Sequence, residues 1–129
     1  MVVDTSALVA LILDEPEADR FRGLVADATS LKVSTVSVLE ASLALEARIS
    51  PDAGRELDLF LSATGFEIAS FDEEQLRAAR RAWRKYGKGN HPAGLNMGDC
   101  ASYALSKVTG EPLLFKGNDF PQTDVESAL

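Results

Sequence analysis

Short apolar runs alternate with amphipathic helical patterns along the whole chain. Met1 to Val3 is wholly apolar and stops at Asp4, which predicts a buried first strand. Asp4-Thr5-Ser6 supplies N-cap chemistry for a helix running to about Leu13. Pro16 suits the first turn of a second helix, in which Phe21, Leu24, Val25 and Ala28 recur at i, i+3, i+4, i+7. Lys32 to Thr35 predicts a second strand, and a helix follows from about Ser37 to Arg48. Ser50-Pro51 opens another helix, with Leu57, Phe60 and Leu61 inward and Gly65 at its end. Phe66 to Ala69 predicts a third strand. Asp72 and Gln75 make a capping-box-like start to a helix with Leu76, Ala79 and Trp83 on one face. Gly87 to Gly98 predicts a loop, followed by a helix from about Asp99 to Val108 that Gly110 ends. Leu113 to Phe115 predicts a fourth strand, with a weak fifth near Val125.

Strands alternating with helices predict an α/β fold: a three-layer α/β/α sandwich around a parallel sheet. At 129 residues the chain is one domain, 1–129, with room for a full core. In such folds ligands gather beyond the carboxyl ends of the strands, where the strand order reverses. Asp4 leaves the first strand at that end, and Asp119 leaves the fourth.

Composition narrows the chemistry. One cysteine, Cys100, excludes an intramolecular disulfide and a multi-cysteine zinc site. One histidine, His91, excludes two-histidine nuclease chemistry; its place beside Pro92 predicts an exposed loop residue. The apolar run Ala7 to Leu13 is too short to span a bilayer and no cation precedes it, so no membrane role and a cytoplasmic location are expected. There is no phosphate-binding P-loop, no G-x-S-x-G elbow and no D-x-D pair after the first strand.

The net charge of −7 does not suggest a nucleic-acid binder, but the distribution is uneven. Arg77, Arg80, Arg81, Arg84, Lys85 and Lys88 supply six of the thirteen cations in a stretch without an acid. Such a run is either a solvated helix face or a phosphate-attracting patch on an acidic body. Trp83 and Tyr86 interleave with these cations, although the helical stripe predicts core packing for Trp83.

Four carboxylates stand out by position. Asp4 ends an apolar strand, as a helix N-cap or as a ligand. Glu40 shares a helix face with Val36, Leu43, Ala44 and Ala47, the stripe expected to meet the sheet. A glutamate buried there needs an arginine partner or a cation. Asp99 opens the helix after Asn96-Met97-Gly98, by capping or by function. Asp119 sits in Lys116-Gly117-Asn118-Asp119, where an Asx turn is the simpler reading. Were all four to meet, mutual repulsion would call for a divalent cation. An all-oxygen site selects Mg²⁺ or Mn²⁺, which suits phosphodiester hydrolysis.

At these residues the chain resembles the PIN-domain ribonucleases, and more narrowly the VapC toxins of bacterial toxin–antitoxin pairs. Val2-Val3-Asp4-Thr5-Ser6-Ala7-Leu8, Ser37-Val38-Leu39-Glu40-Ala41, Leu95-Asn96-Met97-Gly98-Asp99-Cys100 and Leu113 to Phe120 carry the resemblance, in this order and spacing. It implies a sheet of about five strands, ordered 3-2-1-4-5. It also implies that Asp4, Glu40, Asp99 and Asp119 hold Mg²⁺ or Mn²⁺ for RNA hydrolysis. Thr5 or Ser6 matches a hydroxyl that orients the first acid, and Asn118 competes with Asp119 for the fourth position. A VapB-type antitoxin and a homodimer are the implied partners. Two rivals stand beside this reading. A receiver-like signalling module wants paired acids after the first strand and an aspartate ending the third; only Lys116 fits it. A PIN-like binding protein that cleaves nothing would not need all four acids.

Overall fold

The computed structural model describes residues 1–129. Val2–Val3 form strand β1, and consecutive strand residues must point to opposite faces. Val3 accordingly joins a core with Leu8, Phe21, Leu45, Leu57 and Leu61. Val2 joins a second core with Ala78, Ala82, Tyr86, Tyr103 and Leu105. Two cores on two faces make the expected α/β/α sandwich.

The first core is covered by α1 (Thr5–Ile12), α2 (Ala18–Asp27), α3 (Thr35–Arg48) and α4 (Ala53–Thr64). The second is covered by α5 (Glu73–Tyr86) and α6 (Met97–Thr109). Between them lie β1, β2 (Lys32–Ser34), β3 (Glu67–Ala69) and β4 (Leu113–Leu114). All pairs are parallel, in the order β3-β2-β1-β4. Val2 stands opposite Lys32 on one side and Leu113 on the other. The sheet therefore reverses direction of winding at β1 and β4, which brings the segments after both strands to one crevice.

The sheet has four strands where about five were expected. The fifth survives as a single bridge, Leu113 to Ser127, closed by Leu113 N–H to Glu126 O (2.8 Å) and Ala128 N–H to Leu113 O (2.9 Å). Exposed Glu126 and Ser127 give this segment no apolar face to bury, so pairing stops there.

Two helix faces also differ from expectation. On α3 the core stripe is Ser37, Ala41 and Leu45, one position away from the stripe expected through Glu40. Leu39 and Leu43 are each 60% exposed and Ala47 is exposed, so Glu40 is half-buried and not sunk in the core. On α5 the inward face is Gln75, Ala78, Ala79, Ala82 and Tyr86, and Trp83 is 43% exposed. The seam against α6 is built of alanines that let the helices approach closely, and an indole has no room in it.

Candidate active site

Asp4 is the deepest acid, 2% exposed, at the N-cap of α1. Its amide is fixed to β4 by a 2.9 Å bond to Leu114 O. Its Oδ2 accepts from the Ser6 amide (2.9 Å) and the Ser6 hydroxyl (2.6 Å). Ser6 Oγ in turn accepts from the Lys116 amide at 2.9 Å, which ties the loop after β4 to the same carboxylate. Of the two candidate hydroxyls, Ser6 therefore orients Asp4, while Thr5 Oγ1 donates to Ser37 O at 3.4 Å. Asp4 Oδ1 is buried and has no partner at all. A buried carboxylate oxygen left unbonded costs about 1–3 kcal/mol or more, so it demands an explanation.

Asp99 reaches the crevice from α6. The helix begins two residues earlier than its sequence suggests because Asn96 caps it. Asn96 Oδ1 accepts from the Asp99 amide (2.9 Å) and Asp99 Oδ2 accepts from the Asn96 amide (3.0 Å), a reciprocal capping box. One Asp99 oxygen is fixed by this box, and Oδ1 makes no hydrogen bond. Glu40 extends from α3 across the first turn of α6. Any Cβ at Gly98 would overlap both of its carboxylate oxygens, so the glycine is what admits the acid beside Asp99. Asp119 is exposed at the mouth, just before a 3-10 turn at Phe120–Gln122. It makes no capping bond, and no Asx turn consumes its side chain. Neighbouring Asn118 bonds through its backbone carbonyl, which accepts from Gln122 Nε2 at 3.1 Å.

Hydroxyls brace the helices that carry these acids. Ser37 and Ser102, both fully buried, share a 3.0 Å hydrogen bond that joins α3 to α6. Together with Thr5 to Ser37, this links the segments bearing Asp4, Glu40 and Asp99.

None of the four acids is paired with a lysine or arginine; every ion pair in the chain lies elsewhere. Lys116, the nearest candidate by sequence, is taken up by Glu15 and Glu17. The mutual field is felt most at Asp99. Burial pushes its carboxyl up to about 7, the Asn96 amide opposes this, and Asp4, Asp119 and Glu40 push further. The acids are thus brought within each other's field. As placed, however, no three acidic, histidine or cysteine side chains form a ready-made cage for an ion.

The remaining candidates resolve simply. Cys100 is buried among apolar neighbours, which pushes its thiol up to about 11 and leaves it a small hydrophobe. His91 is half-buried and not exposed as expected. Its Nδ1 accepts from the Ala93 amide (3.0 Å), and its ring meets Tyr86 edge-on at 5.2 Å. It shapes the loop and stands apart from the acids.

The chain as a whole matches a known family. The model of the PIN domain matches residues 1–126, and the chain belongs to the PIN-domain family. Within it, the chain is 54% identical over 125 residues to a Ribonuclease VapC of Mycolicibacterium smegmatis, covering 97% of each. It is 52% identical to Ribonuclease VapC30 of Mycobacterium tuberculosis, covering 97% of this chain and 95% of that one. Among solved structures, the fold is similar to that of Mycobacterium tuberculosis VapC20, a sarcin-ricin loop cleaving toxin. The TM-score is 0.79 at 16% identity, over 96% of this chain and 95% of that chain. A toxin–antitoxin complex from Klebsiella pneumoniae aligns with a TM-score of 0.72 at 18% identity, over 95% and 92% of the two chains.

Proposed function

We propose that the chain is the toxin of a VapBC-type toxin–antitoxin pair, a ribonuclease that cuts RNA with Mg²⁺ or Mn²⁺ held by Asp4, Glu40, Asp99 and Asp119. The observation that carries this reading is the buried, unpartnered Asp4 Oδ1, together with the charges of Asp4, Asp119 and Glu40 felt at Asp99. An all-oxygen donor set with no histidine or cysteine suits these hard ions. Such an ion lowers the pKa of water and clamps a phosphoryl oxygen when bound.

The chain's own groups divide the remaining work. Ser6 holds Asp4 Oδ2 and the Asn96 amide holds Asp99 Oδ2, which leaves Oδ1 of each without a partner. Glu40, free of any hydrogen bond and only half-buried, accepts the proton of the attacking water. Its placement over Gly98 aims it beside Asp99. The products are a 5′-phosphate and a 3′-hydroxyl. A VapB-type antitoxin covers the acidic crevice, the working form is a homodimer, and the complex acts in the cytoplasm. No helix is long and apolar enough to cross a membrane.

Purified protein with Mg²⁺ or Mn²⁺ should cut a labelled RNA and stop on addition of EDTA. Cleavage that persists in EDTA sinks the metal mechanism. Gly98→Ala separates fold from function. Alanine favours the helix by about 0.5–1 kcal/mol, yet its methyl pushes the flexible Glu40 carboxylate aside. The variant should melt no lower than the parent while cleaving about tenfold more slowly. Unchanged cleavage would remove Glu40 from the mechanism.

A further inference from the structure

α5 presents an unusual surface. Arg80, Arg81, Arg84 and Lys88 are exposed and engage no acid; only Arg77 is paired, to Glu73 on the same helix. Trp83 stands among them, and Arg80, Trp83 and Arg84 line a shallow depression with Asn90. The indole is held in place. Gly87 lies against it so closely that any Cβ there would overlap the ring and the Trp83 carbonyl. Gly87 has an ordinary backbone conformation, so its missing side chain matters for space, not for φ. The Trp83 carbonyl accepts from the Gly87 amide (2.8 Å) and from Asn90 Nδ2 (3.1 Å), which locks the loop beneath the ring.

Beside Trp83 an apolar groove of about 450 Å³ runs between α5, α6 and α3, with Leu76, Phe71 and Val36 along it. Asn96 and Met97, which open α6 just before Asp99, also line it. Arg80 and Lys88 lie on its rim. An apolar slot with two cations along it, lined also by the residues that lead into Asp99, has the layout of a single-strand track. In such tracks bases stack on an aromatic ring and phosphates meet cations.

We propose that Trp83 is a stacking platform for an unpaired base flanking the scissile phosphate, with Arg80, Arg84 and Lys88 holding the adjoining RNA backbone. This rests on the ribonuclease reading above. The free cations favour RNA over an apolar protein segment as the occupant, since a merely hydrophobic partner leaves them unanswered.

Trp83 is the only tryptophan in the chain, so its emission reports on this site directly. The experiment uses full-length Asp99→Asn protein in EDTA, where no cutting occurs, with a fluorescein-labelled single-stranded RNA. RNA should quench the emission saturably as anisotropy rises. Trp83→Ala and Trp83→Leu should weaken binding roughly 5- to 150-fold, while Trp83→Phe stays within a few fold. The double variant Arg80→Ala/Arg84→Ala should flatten the salt dependence by about one unit of slope. The half-exposed ring makes these changes mild for the fold, and circular dichroism checks that. Should truncation unfold the chain, the quench of the unsubstituted indole still decides.

RNA binding with silent emission, or with Trp83→Leu equal to the parent, overturns the proposal. So does quenching by the protein partner alone, which would assign this face to a protein. The two readings fail separately. A chain that quenches with RNA but never cuts it with metal loses the ribonuclease reading. One that cuts RNA while Trp83 stays silent loses only the platform.

Discussion

Asp99→Asn should melt about 5 °C above the parent at pH 8 in EDTA, and cut RNA at least about 100-fold more slowly when Mn²⁺ is restored. The stability gain follows from the direction of the Asp99 shift. Its carboxyl sits up at about 7 in the folded chain against an ordinary value of 3.8, chiefly through burial and then through its acidic neighbours. An acid shifted upward holds its proton more tightly folded than unfolded. Its contribution is fully present below about pH 3.8, declines as pH rises, and is lost beyond about 7. Asparagine removes that decline while its amide oxygen still accepts from the Asn96 amide, so the capping box survives. Partial solvent access screens the effect, which is why about 1 kcal/mol is expected and not several. The gap between variant and parent should close toward pH 4. Differential scanning fluorimetry across pH 4–8 measures it, and a variant that melts lower than the parent at pH 8 contradicts the reading.

Such opposite effects on stability and rate are what a site built for function produces, and they bear on how far the sequence could reveal it. The alternation of strands with helices was most legible at β1 and β4, which are buried on both faces and wholly apolar, while β2 opens on half-buried Lys32 and the edge strand β3 is largely exposed. The order β3-β2-β1-β4 follows the switch-point rule once β1 and β4 are neighbours. Helix facing was less legible. Leu43, Leu76 and Trp83 are large and apolar, so periodicity counts them inward, yet they are exposed. The true seams use Ser37, Ala41, Ala78 and Ala82, small residues that periodicity weights lightly and that close packing needs. The misplaced stripe on α3 made Glu40 seem buried for the wrong reason; what holds it at the site is space at Gly98, which no spacing rule reports. The Asn96–Asp99 box, by contrast, is a local pattern three residues apart and was within reach of the sequence. The Ser6 to Lys116 bond joins residues 110 apart and was not.

Mn²⁺ should raise the melting temperature of the parent by about 10 °C at a hundredfold excess over its dissociation constant, and Asp4→Asn should abolish that rise. Binding that favours only the folded chain adds about 2.7 kcal/mol at this excess. Most of the gain comes from groups already held at a cost. Asp4 Oδ1 is buried without a donor, Asp99 feels the charge of three acids, and no cation of the chain is paired with either. A hard ion would satisfy the first and screen the second, so ion and fold should be strongly linked. Asparagine at position 4 keeps an oxygen for the Ser6 bonds, and with it the cap of α1, but brings no charge to the crevice. The variant should therefore melt normally without the ion, ignore Mn²⁺, and lose cleavage. Ser6→Ala tests the same geometry one step away. It frees Asp4 Oδ2 to rotate and cuts the link to Lys116, so Mn²⁺ should still stabilise the fold but need about 10–100 times more ion. A Ser6→Ala chain that binds Mn²⁺ as tightly as the parent would mean that Asp4 needs no orienting. An Asp4→Asn chain still stabilised by Mn²⁺ would place the ion outside this crevice.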